Sequence, residues 1–172
     1  SDFDNYPKTF KKDFKILKKF KVKYCFKPNY KDLFNFKTKN KIFLDKFSKK
    51  LCGKFRKNHF KGVVNVVNRF LEIVKPKKIF LGNKDFQQLI LIKKHVKRNK
   101  IKTKIVSCKT LRDKNFIAYS SRLKKLKHYE KINLIKIIKN LKNYKKNLIL
   151  KKINHNFPKI KNKLLSLGAR KI

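Results

Sequence analysis

The heptapeptide Gly82-Asn83-Lys84-Asp85-Phe86-Gln87-Gln88 sets a glycine, an ammonium, a carboxylate and two carboxamides side by side in the chain. Each type has a use in binding a ligand. The glycine allows close backbone approach and the lysine meets a phosphate. The aspartate holds a hydroxyl or a cation, and a glutamine orients a neutral polar group. Taken alone, the same residues also make an ordinary solvated turn, and in so lysine-rich a chain that alternative stands until other segments bear on it.

The flanking elements decide where such a turn would sit. Lys78-Ile79-Phe80-Leu81 is a short β-branched and aromatic run that breaks at Gly82 and passes into helical periodicity lasting to about Asn99. That pattern predicts a strand, a turn and a helix. Upstream, a long helix is expected from His59, with Phe60, Val63, Val64, Val67, Leu71 and Val74 on one stripe. Val66, Phe70 and Ile73 widen it, and Pro76 ends it. So broad a stripe implies burial against a sheet. A further strand is expected over residues 101–108. Helix, strand, helix and strand with short links form a βα array and predict a parallel sheet, whose ligands bind beyond the carboxyl ends of the strands. The heptapeptide lies at such an end, and the helix after it offers free N–H groups to an anion.

Around this array the pattern is less regular. Residues 8–20 have helical spacing at Phe10, Phe14, Leu17 and Phe20. Val22 to Phe26 reads as a strand halted by Pro28, and residues 29–41 as a loop. Ile42-Phe43-Leu44 reads as a short strand, residues 46–51 as one or two helical turns, and 53–58 as a basic turn. Residues 110–122 form a loop carrying Ser120-Ser121-Arg122. Helices are expected over 128–143, 145–153 and 157–168, and the last residues, 169–172, read as the start of a strand. Because strand signals fade beyond Leu123, a domain boundary is expected there, with residues 1–123 in one domain and the mainly helical residues 124–172 in another.

Composition bounds the function less than its extremity suggests. The 172 residues carry 52 Lys+Arg against 9 Asp+Glu, a net charge of +43, which points towards polyanionic partners. Yet the lysines are spread along the whole chain, and Asn, Ile and Phe are abundant while Gly and Pro are scarce. A coding bias towards A and T produces that skew in any protein. Non-specific nucleic-acid binding is expected from the charge alone, and a basic RNA-binding or ribosome-associated protein is the rival class. Cys25, Cys52 and Cys108 have no Cys-x-x-Cys spacing and fit free thiols in a reducing, cytoplasmic setting. No run of membrane-spanning length occurs, so no membrane partner is expected.

Taken together, the separated motifs resemble one family. His59-Phe60-Lys61-Gly62-Val63, Gly82-x-Lys84-Asp85-Phe86-Gln87-Gln88-Leu89, Thr110-Leu111-Arg112-Asp113 and Ala118-x-Ser120-Ser121-Arg122 resemble pantoate–β-alanine ligase (pantothenate synthetase) in order and spacing. The opening segment, Asp2-Phe3-Asp4-x-Tyr6-Pro7-Lys8-Thr9, is similar as well. The resemblance implies a Rossmann-like α/β fold of the nucleotidyltransferase superfamily, with a parallel sheet flanked by helices. It implies an enzyme that joins pantoate to β-alanine with ATP and Mg²⁺ through a pantoyl-adenylate, and a homodimer. It also implies that Gly82, Asn83, Lys84 and Asp85 contact ATP, that Leu111 lies near the adenine, that Tyr119, Ser120, Ser121 and Arg122 close over the phosphates, and that Gln88 holds pantoate. Such a reaction joins two anions, so Lys84 and Arg122 are the expected counter-charges. Ser120 and Ser121 also suit a helix cap. His59 and Arg56 read rather as structural groups, and no residue is assigned to a metal.

Several positions depart from the family pattern. Asn83 stands in place of Glu, Tyr119 of Met, Leu123 of Asn, and Lys57-Asn58 of Pro-Gly. The family's paired catalytic histidines have no counterpart here, since His59, His95, His128 and His155 lack that setting. The chain is therefore expected to be an internal fragment, without catalytic residues of its own and inactive alone. A non-catalytic homologue is the remaining alternative.

Overall fold

The computed structural model describes residues 9–150 and 157–170. The lead-in over residues 1–7, the last residues of the helix expected over 145–153, His155 and the final Lys171-Ile172 lie outside the described residues. The chain divides into two compact units, residues 1–37 and 38–172. The second includes the segment beyond Leu123, where the sequence places a boundary.

The first unit contains α1 (Phe10–Lys19) and α2 (Tyr30–Phe34). A capping box starts α2: Asn29 Oδ1 accepts from the Asp32 N–H at 3.0 Å, and the Asp32 carboxylate accepts from the Asn29 N–H at 2.7 Å. The strand expected over Val22–Phe26 does not form. A strand needs a neighbour's N–H and C=O groups, which β-branched and aromatic composition cannot supply. Val22, Tyr24 and Phe26 stay exposed.

The second unit opens with the segment Ile42–Leu44, whose composition predicts a strand. It has no strand pairing; Ile42 and Leu44 pack on the core instead, and the Phe43 N–H is held by a side chain. A 3-10 turn (Lys46–Lys49) and α3 (Cys52–Phe55) follow. Asp45 caps the turn by accepting from the Phe47 N–H at 2.9 Å and pairs with Lys94. Between the two elements Leu51 adopts φ 47° and ψ −124°, a region that favours glycine. Gly53 is needed for close approach, since a Cβ there would overlap the Ser48 carbonyl. Gly53→Ala is expected to destabilise the protein by about 1–3 kcal/mol, read as an earlier urea midpoint.

The array expected from periodicity is present. It comprises α4 (His59–Val74), β1 (Lys78–Gly82), a 3-10 turn (Asn83–Asp85), α5 (Phe86–Arg98) and β2 (Lys104–Cys108). The strands pair in parallel, Ile79 opposite Ile105 and Gly82 opposite Cys108. Phe60, Val64, Leu71, Leu91, Ile92 and Val96 form the core between α4 and α5, with Ile79, Leu81 and Ile105 packed against it from the sheet. The α4 stripe is narrower at its end than periodicity suggests, for Ile73 and Val74 are exposed. Lys75 stops the helix in a left-handed conformation, one residue before Pro76. Beyond a 3-10 turn (Ser121–Lys125), a single α6 (His128–Ile149) replaces the two helices expected there, because no breaker interrupts it at residue 144. The short α7 (Phe157–Ser166) ends before Gly168, at φ 88°.

Candidate nucleotide site

The turn between β1 and α5 and the loop after β2 lie at the same, carboxyl, end of two parallel neighbours. Gly82 pairs with Cys108, so the residues leaving each strand start out side by side. The loop is stiffened by its own bonds. The Asp113 carboxylate accepts from the N–H groups of Asn115 and Ile117, both at 2.9 Å. Arg112 bridges Ala118, and the Tyr119 N–H reaches the Leu111 carbonyl at 3.3 Å. Leu111 and Tyr119 are thereby held opposite each other, and both are exposed.

A side-chain bond joins the loop to the heptapeptide: Lys84 Nζ donates to the Tyr119 carbonyl at 2.9 Å. It brings together two segments 35 residues apart. Ser120 follows, its hydroxyl accepting from the Arg122 N–H at 3.3 Å to start the 3-10 turn that carries Ser121 and Arg122. The capping role open to Ser120 is therefore realised in the geometry: its hydroxyl takes the Arg122 N–H and its carbonyl the Leu123 N–H at 3.1 Å, with Ser121 between them at the same locus. Lys84 is exposed and ends on a carbonyl, so its ammonium can exchange that partner for a phosphate oxygen.

Gln88 lies in the first turn of α5 and is half-buried. Its neighbour Gln87, to which the motif assigns no role, is 6% exposed and makes three hydrogen bonds. Gln87 Nε2 donates to the carbonyls of Phe47 at 2.8 Å and Lys50 at 2.7 Å, and Oε1 accepts from the Cys52 N–H at 3.0 Å. A signal for it is present in the sequence. Gln87, Leu91 and His95 recur at spacing four, on the face that also buries Leu91 and Ile92.

His59 starts α4 with its ring tilted against Phe60. Burial pushes its pKa down, the positive charge of Arg56 pushes it further, and Asp85 partly opposes both. A neutral imidazole packed at a helix start agrees with the structural reading. The residue before it, Asn58, takes φ 59°, the left-handed conformation that Asn tolerates better than other side chains. A non-glycine residue at this position therefore need not disturb the turn. Among the described residues no group of three or more His, Cys, Asp or Glu side chains could hold a metal. The turn's one carboxylate, Asp85, suits a cation that brings most of its oxygen ligands with it.

The family model for pantoate–β-alanine ligase matches residues 1–171. The pantothenate synthetase of Sulfurihydrogenibium sp. is 37% identical over 136 residues, 79% of this chain and 49% of its own length. That of Flavobacterium psychrophilum is 41% identical over 127 residues, 73% of this chain and 45% of its own. The chain thus spans about half the length of the curated relatives it matches. Among solved structures, the pantoate–β-alanine ligase of Francisella tularensis, complexed with β-γ ATP and β-alanine, superposes with a TM-score of 0.80 at 33% identity. The alignment covers 97% of this chain and 61% of that one. The Thermus thermophilus enzyme gives a TM-score of 0.74 at 26% identity, covering 82% and 51%. The parallel strands flanked by helices are accordingly part of a Rossmann-like, nucleotidyltransferase-type fold, and the chain belongs to the pantoate–β-alanine ligase family.

Proposed function

We propose that this chain carries the nucleotide-handling part of an ATP-dependent ligase that condenses pantoate with β-alanine through a pantoyl-adenylate. The observation that carries the reading is the Lys84–Tyr119 contact, which sets the Gly82–Asp85 turn and the Tyr119–Arg122 segment against each other at one end of the sheet. Family membership and the ATP and β-alanine in the Francisella tularensis complex support the choice of ligands.

In this reading Lys84 binds a phosphate oxygen, and Arg122 supplies a second cation as negative charge grows on the leaving pyrophosphate. Gly82 and Asn83 let the nucleotide approach the backbone. Leu111 offers an apolar surface to the adenine, Ser120 and Ser121 donate to phosphate oxygens, and Gln88 orients pantoate. Mg²⁺ would reach the site with the nucleotide, held by phosphate oxygens and water with Asp85 nearby, and would offset phosphate charge. Residues 124–172 would form part of a C-terminal domain, and the assembly would be a cytoplasmic homodimer. No described helix is long and apolar enough to cross a membrane.

Titration calorimetry with ATP and Mg²⁺, with and without pantoate, tests the proposal. Saturable one-site binding that survives roughly 0.3 M salt is expected, and a charge-driven polycation would lose its affinity steeply there. Binding that disappears with salt, or that ATP and an unrelated polyanion share equally, would remove the ligase reading in favour of a basic binding protein.

A further inference from the structure

Gln87 is a buried, fully hydrogen-bonded side chain that the proposed chemistry does not use. Its carboxamide grips the carbonyls of Phe47 and Lys50 and the N–H of Cys52. Two of those groups flank Leu51 directly. Leu51 sits at φ 47° and ψ −124°, where a residue with a Cβ is strained, and the residue is 62% exposed. A strained residue without inward packing relaxes unless its backbone is held on both sides, and Gln87 holds both sides. The Asp45–Lys94 pair ties the start of the same segment to α5. Gln87 stands one residue before Gln88 and three after Lys84.

We propose that Gln87 is a positioning residue for the nucleotide site: its carboxamide locks residues 47–52 onto the first turn of α5, so that this segment and the Lys84 turn form one rigid unit. The proposal rests on the ATP-binding reading above. Strain at Leu51 is kept because a preformed segment costs no ordering when ligand arrives.

Gln87→Leu tests this, with amide hydrogen exchange and ATP calorimetry on the same samples. The Cys52 amide is expected to exchange at least about tenfold faster, core amides such as Ile92 staying protected, while ATP affinity falls about tenfold or more. Adding Leu51→Gly, which accepts the same backbone conformation without strain, is expected to restore part of the affinity. Loss of general stability alone would not produce that rescue well below the melting temperature. If Gln87→Leu does not fold, Gln87→Glu carries the same measurement, since it keeps the acceptor for Cys52 and removes both donors. Unchanged protection of Cys52 overturns the clamp. Faster exchange with unaltered ATP affinity overturns the positioning role. A wild-type chain that binds no ATP defeats the nucleotide reading and the ligand half of the proposal with it, while amide exchange still decides the clamp.

Discussion

Lys84→Met is expected to weaken ATP binding by about ten- to a hundredfold while leaving the fold intact. A hydrogen bond between an ammonium and a phosphate oxygen contributes roughly 1.5–3 kcal/mol, and each 1.4 kcal/mol is about tenfold in affinity. The side chain is exposed, and its hydrogen bond is to the Tyr119 carbonyl on the surface. Its removal should therefore shift stability by no more than about 0.5 kcal/mol, as for most surface changes. The contrast is the test, because the chain has dozens of other cations. Lys61→Met, also exposed but on α4, removes the same charge and should leave ATP affinity within about twofold. Equal losses from the two variants would mean that the nucleotide responds to the chain's overall charge. A loss confined to Lys84 would tie it to this turn.

The turn is legible in the sequence because everything that specifies it is local. A short apolar run, a glycine and a 3.6-residue repeat within two dozen positions define β1, the turn and α5, and β2 follows after a short link. Elements that depend on remote partners are less legible. Val22–Phe26 has strand composition but pairs with no strand among the described residues, and Ile42–Leu44 is claimed by the core and by a histidine 52 residues away in sequence. The choice between Gln87 and Gln88 shows the same division. The motif contains both, and only the packed helix shows that Gln87 faces the 47–52 segment while Gln88 lies half-exposed. The spacing is informative all the same. Polar residues that interrupt an apolar stripe at its own period, as Asn68 does after Phe60 and Val64 and as Gln87 and His95 do around Leu91, mark buried hydrogen-bonding groups and not lapses in the pattern.

Asn68→Leu is expected to cost about 3 kcal/mol or more in urea unfolding, a larger loss than that expected for Lys84→Met. Asn68 and His95 are both fully buried. Asn68 Oδ1 faces His95 Nε2 at 3.0 Å and Asn40 Nδ2 at 3.1 Å, and its Nδ2 donates to Glu72 at 2.9 Å. His95 Nδ1 accepts from the Phe43 N–H at 3.2 Å, with the Asn99 amide also facing it. With Nδ1 accepting, Nε2 must carry the proton and donate to Asn68, so the folded protein holds a neutral imidazole of one tautomer. Leucine would fill the volume and leave that N–H unpaired in the core.

The same tautomer fixes the response to pH. Burial pushes the His95 pKa below the ordinary 6.5, outweighing the opposite pull of the Glu72 carboxylate. Burial alone would raise the Glu72 pKa, but bonds from Asn68, Asn40 and Lys39 hold it down, so the carboxylate stays charged beside the imidazole over this range. Below about pH 6.5 the unfolded chain gains a proton on His95 that the folded chain refuses. Stability is therefore complete above that pH and declines as pH falls towards the lower folded value, by at most about 1.4 kcal/mol per pH unit for this group. His59, shifted in the same direction, adds to the decline. Urea midpoints between about pH 7.5 and 5.5 should fall in the wild type, and His95→Gln should flatten the part due to His95. If the slope keeps its full size in His95→Gln, the imidazole is not the group that takes up the proton on unfolding, and the tautomer inferred from Phe43 and Asn68 is wrong.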